Sequence, residues 1–108
     1  MTDYLAKAEK AIAYLAETEE EYARLKALVK YAPERLKAYL ATLEMESDET
    51  TQAGKKTAAL AHQEYEQLVD SFEVVTEQFN VISEKRRRAE LTIEMYRSVN
   101  SAMKRGNI

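Results

Sequence analysis

From Leu68 to Met103 the apolar residues recur at alternating steps of four and three: Leu68, Phe72, Val75, Phe79, Ile82, Ala89, Ile93, Tyr96 and Met103. Residues 65–105 contain neither Gly nor Pro. Such a row is the seam of a long helix that needs a partner helix. Arg86 stands where an apolar residue is due. A second row runs through the first half: Leu5, Ala8, Ile12, Leu15, Glu19, Tyr22, Lys26, Val29, Pro33, Leu36, Leu40 and Leu43. Its polar intruders are Glu19 and Lys26, with Pro33 as a third break. Leu25 and Leu28 widen the stripe. Pro33 removes a helical donor and pushes Ala32 toward extended geometry. The row keeps its phase through Pro33, which favours a kink over a stop.

Between the rows, Glu46 to Thr51 reads as a loop and a new helix start. Ser47 or Asp48 is the expected cap. Gly54 weakens any helix there. Thr2 or Asp3 can cap the first helix, and Gly106 is placed to end the last. His62 to Glu64 offers no strong capping signal. The expectation is an all-α single domain over residues 1–108. It is a long antiparallel helical hairpin of coiled-coil type, with a helix over 3–45, a loop or short helix over 47–63 and a helix over 64–105.

Aligning the apolar ends pairs Leu5 with Met103, Ile12 with Tyr96, Leu36 with Phe72 and Leu40 with Leu68. That register brings Glu17 to Glu21 beside Lys85 to Arg88 and makes Glu19 and Arg86 a candidate register-setting charge pair. Such a pair adds little net stability and acts mainly on register. Two helices bury little surface alone, so a homo-oligomer is expected.

Composition narrows the chemistry. The chain has 108 residues, 45% hydrophobic and 32% charged, with two Gly, one Pro and no Cys. Few turn formers fit the all-α reading. Without Cys there is neither a disulfide nor a thiolate metal site. His62 is the only histidine, and a lone His is a poor metal site. No serine has a His–acid partner motif, and no phosphate-binding Gly-rich loop is present. No enzyme, cofactor or metal is expected. No apolar run approaches the roughly 20 residues of a membrane span. With no signal-peptide pattern, the expectation is a soluble protein of the cytoplasm.

Charge is uneven. Residues 1–54 carry seven Lys/Arg against eleven Asp/Glu, and residues 55–108 carry nine against eight. Between Lys85 and Arg105 seven basic residues face only Glu90 and Glu94. Lys85, Arg87, Arg88, Arg97, Lys104 and Arg105 are therefore the candidate nucleic-acid contacts, with Tyr96 as a candidate base platform. The competing reading pairs these cations with Glu17 to Glu21 inside the fold and puts Tyr96 in the core.

The run Lys85-Arg86-Arg87-Arg88-Ala89-Glu90-Leu91-Thr92-Ile93-Glu94-Met95-Tyr96-Arg97-Ser98-Val99-Asn100, with the ending Arg105-Gly106-Asn107-Ile108, resembles the C-terminus of small proteins of tailed phages and prophages. The opening Asp3-Tyr4-Leu5-Ala6-Lys7-Ala8-Glu9 and the stretch Glu20-Glu21-Tyr22 are similar too. Pro33 and Gly54 depart from that pattern. The resemblance implies a gene often found near phage recombination genes, and so an accessory role around single-stranded DNA or its annealing protein. Two other functions fit the residues. One is inhibition of a host nuclease or defence complex, with Glu44 to Glu49 imitating nucleic acid. The other is a purely structural, self-assembling helical protein.

Overall fold

A computed structural model describes residues 2–106, with the side chain of Thr2 left out. The Thr2 capping expectation and the ending Asn107-Ile108 fall outside what is described. The fold is all-α, a long helical hairpin. Its elements are α1 (Thr2–Glu46), α2 (Gln52–Leu60) and α3 (Gln63–Lys104). Contacts divide the chain into two compact units. The first holds residues up to Ala23 together with those from Asn80 onward, and the second holds Arg24–Phe79. Both long helices contribute to each unit.

In the first unit α1 and α3 run antiparallel. Lys7 and Thr92 line one end of a shared groove, and Tyr14 and Lys85 line its other end. Arg86 then meets Leu15 and Thr18. In the second unit Val29 to Leu36 line a groove with Val69 to Thr76, and the Tyr39 hydroxyl donates to Glu64. These partners lie roughly one to two and a half turns from the register given by aligning the apolar ends. The ends do not decide the register, because Leu5 and Met103 are both exposed.

From Leu68 to Tyr96 the seam on α3 follows the expected row, and Met103 beyond it is exposed. Leu68 to Ile82, Arg86, Ile93 and Tyr96 are half-buried at their seam positions, and Ala89 is buried. On α1 the seam differs by one residue at every second position between Ile12 and Pro33. Ala11, Leu25 and Ala32 are buried and Thr18 is half-buried, while Ile12, Glu19, Lys26 and Pro33 are exposed. Glu19 and Lys26 therefore lie outside the seam, and Pro33 stands exposed at its edge. The reason is steric. Alanines at Ala8, Ala11, Ala32 and Ala89 let the helices approach closely, and distance between packed helices follows side-chain size. A bulky Ile12 at the contact would hold them apart.

Pro33 lies inside α1, which continues through it to Glu46, and Ala32 is helical and buried. The proline is exposed at the edge of the groove shared with α3, where water can still reach the backbone that lost a hydrogen bond.

The turn end of the hairpin closes on small residues. Thr51, not Ser47 or Asp48, caps α2; its side-chain oxygen accepts from the Gly54 N–H at 3.0 Å. Ser47 instead folds the preceding loop, accepting from the Glu49 N–H. Ala59 of α2 is buried beside Leu43. His62 caps α3: its Nδ1 accepts from the Glu64 N–H at 3.1 Å. At the far end Gly106, at φ 73°, turns the chain out of the helix and bonds back to Met103. That is the left-handed C-terminal stop that glycine permits.

Gly54 carries a test of this turn. A Cβ there would sit 2.9 Å from Thr51 Oγ1 and 3.2 Å from a Glu49 carboxylate oxygen. Helix propensity alone favours Ala over Gly by about 1 kcal/mol. The cap would have to move to accept the methyl group. Gly54→Ala is expected to raise the midpoint of chemical unfolding by less than that full amount, or to lower it. A full gain would mean that the Thr51 cap contributes nothing.

Candidate nucleic-acid interface

The alanine seam of the first unit produces a groove of about 390 Å³. Its α1 wall carries Lys7, Lys10 and Tyr14, and its α3 wall carries Lys85, Arg88 and Thr92. Ala11 and Ala89 are the buried lining residues between them. Each wall is one helix face, because residues three and four apart are neighbours. Small floor residues leave the space open. The long cationic stems cover the apolar edges and carry their charges outward.

All four charged lining residues are cations, and no carboxylate lines the groove. Like charges gathered over a low-dielectric wall focus a positive potential there. Glu84 stands one turn before Arg88 and lines a neighbouring recess with Asn80, Val81, Lys85 and Arg88. The Thr92 hydroxyl is committed to the Arg88 carbonyl at 2.9 Å.

Of the six candidate contacts, Lys85 and Arg88 meet in this groove. Arg87, Arg97, Lys104 and Arg105 are exposed but not among its lining residues. Arg97 and Lys104, a heptad apart, lie about half a turn around α3 from Arg88. The sequence reading missed Lys7, Lys10 and Tyr14. A spacing of three and four in Lys7, Lys10 and Tyr14 was visible, but nothing marked which α3 face it would meet. Tyr96 is half-buried at its seam position.

Arg86 is in the seam, as its place in the row requires, but its hydrogen-bond partners differ from the expected one. Its Nη1 donates to the Leu15 carbonyl at 2.8 Å and to Thr18 Oγ1 at 2.6 Å. Its guanidinium lies 4.7 Å from the centre of the Tyr22 ring. The Thr18 hydroxyl in turn donates to the Tyr14 carbonyl at 2.7 Å. Glu19, one residue after Thr18, is exposed. Thus Arg86 reaches the expected part of α1 and takes neutral acceptors and an aromatic face. Its positive charge stays in the seam beside the groove.

In the second unit, the hydrogen bond from Tyr39 to Glu64, with the charges of Glu64 and Glu46, raises the Tyr39 pKa above its ordinary value. A raised acid pKa in the folded chain means that the bond contributes below about pH 10 and is lost as pH rises through the folded value.

Among the described residues, no group of His, Asp and Glu is arranged to hold a metal ion, and no helix is long and apolar enough to cross a membrane. Comparison with protein-family models, with curated proteins and with solved structures finds no match for this chain.

Proposed function

We propose that this chain is a non-enzymatic helical interaction protein of a tailed phage or prophage, accessory to DNA recombination or replication in the host cytoplasm. In this reading it binds a recombination protein and contacts single-stranded DNA through basic side chains of α3. The observation that carries the DNA part is the groove whose charged lining is wholly cationic. Such a lining meets a phosphate backbone by releasing counterions, without any need for base-specific contacts.

Self-association belongs to the same reading. In the first unit Ile12 is 55% exposed and Met95 57% exposed, with Leu5 and Leu91 also open to solvent. Side chains of this size gain from further burial. Binding and mass are measured together, by fluorescence anisotropy of a labelled oligothymidylate and by light scattering. Affinity is expected to fall with salt, with a log–log slope of about −3 if four phosphates are met at about 0.7 each. No binding at low salt removes the DNA contact. Inhibition of a host nuclease without oligonucleotide binding would favour the alternative, which rests on exposed Glu46, Asp48 and Glu49 at the turn end.

A further inference from the structure

We propose that the groove of the first unit is a single-strand site built by both long helices, in which Lys7, Lys10, Lys85 and Arg88 hold phosphates and Tyr14 offers its ring to a base. This rests on the reading that the chain binds single-stranded DNA. It moves the contact from α3 alone to a cleft that α1 completes.

Three observations converge. Cations stand on both walls, two from each helix, so a strand lying along the cleft is held from either side. Ala11 and Ala89, both buried, make the lining between the walls small and apolar, which leaves room for a planar group. Tyr14 is the aromatic residue of the lining and is only half-buried. Base–aromatic stacking is tolerant of sequence because every base has a π-face. Packed helix axes lie about 8–10 Å apart. The groove over such a contact is shallow, so it can take an unstacked base of a single strand, whereas a duplex keeps its base faces stacked inside. The backbone behind Tyr14 is fixed, because its carbonyl accepts from Thr18, whose oxygen accepts from Arg86.

The test titrates the full chain into labelled oligothymidylate, a labelled duplex and an abasic phosphate strand of equal length. Lys7→Glu/Lys10→Glu is expected to weaken oligothymidylate binding about tenfold or more at low salt. Lys37→Glu/Lys56→Glu makes the same change in net charge outside the groove, and a loss of less than about threefold is expected. Lys85→Glu/Arg88→Glu repeats the loss from the other wall, and circular dichroism reports helicity for each variant. Tyr14→Leu is expected to weaken oligothymidylate binding about fivefold or more while sparing the abasic strand, and Tyr14→Phe to restore it. If Lys7→Glu/Lys10→Glu behaves like Lys37→Glu/Lys56→Glu with helicity intact, the two-walled cleft is wrong while DNA binding by the chain stands. A duplex bound as tightly as the single strand overturns the assignment of ligand. If the wild-type chain binds no oligothymidylate, the cleft and the reading beneath it fall together.

Discussion

Leu25→Ala is expected to cost about 2–4 kcal/mol of folding stability, read as a fall in the midpoint of urea unfolding. Leu25 is only 2% exposed and is the largest side chain buried that completely among the described residues. Truncation removes its transfer free energy and leaves a space that two rigid helices cannot close. The loss is large against the roughly 5–15 kcal/mol of a typical domain. Glu19→Ala is the control. Glu19 is exposed, so its substitution should stay within about 0.5 kcal/mol. Equal losses at the two positions would put Glu19 back into the seam.

Pro33→Ala is expected to act in the opposite direction, raising stability by about 1–3 kcal/mol. Proline in a helix interior is less favourable than Ala by about 3 kcal/mol, and it leaves the carbonyl four residues earlier without a helical donor. Pro33 is exposed, so its replacement sacrifices little core packing. It does line a groove of about 360 Å³ with Leu36, Phe72 and others, which tempers the gain. The same urea series measures it. A loss of stability would show that the second unit requires a bend at this position, and that α1 is shaped by Pro33 rather than merely tolerating it.

These two substitutions address one question of phase. On α3 the heptad row is made of Leu, Phe, Val and Ile, and those side chains announce their face. Reading them gave the correct seam, including the seam position of Arg86. On α1 the contact residues include Ala8, Ala11, Thr18 and Ala32, which carry a weak hydrophobic signal. Ile12 carries a strong one and drew the row one position off, although it is exposed. The polar residues that resulted, Glu19 and Lys26, were the warning. Three breaks at one heptad position mean that the position faces water. Arg86 is a different case, because the seam supplies it with the Leu15 carbonyl, the Thr18 hydroxyl and the Tyr22 ring.

The candidate site divides in the same way. Lys85 and Arg88 were legible as a basic pair on one face of α3, since three residues bring side chains back to the same side. Lys7 and Lys10 were not, because a charge on a helix says nothing of what stands opposite. The cap at His62 was hidden as well. Histidine is not a usual helix cap, and its role here comes from a ring nitrogen placed within reach of the Glu64 N–H.

Along the chain, then, local periodicity and composition determined the helices, their approximate ends, the glycine stop and the antiparallel sense of a short-looped pair. These depend on neighbours three and four residues away. Which residue of each heptad makes contact, the partners of Arg86 and the union of Lys7 and Lys10 with Lys85 and Arg88 were decided only in the packed pair. Close approach favours small side chains over greasy ones, and long-range register sets which charges share a groove.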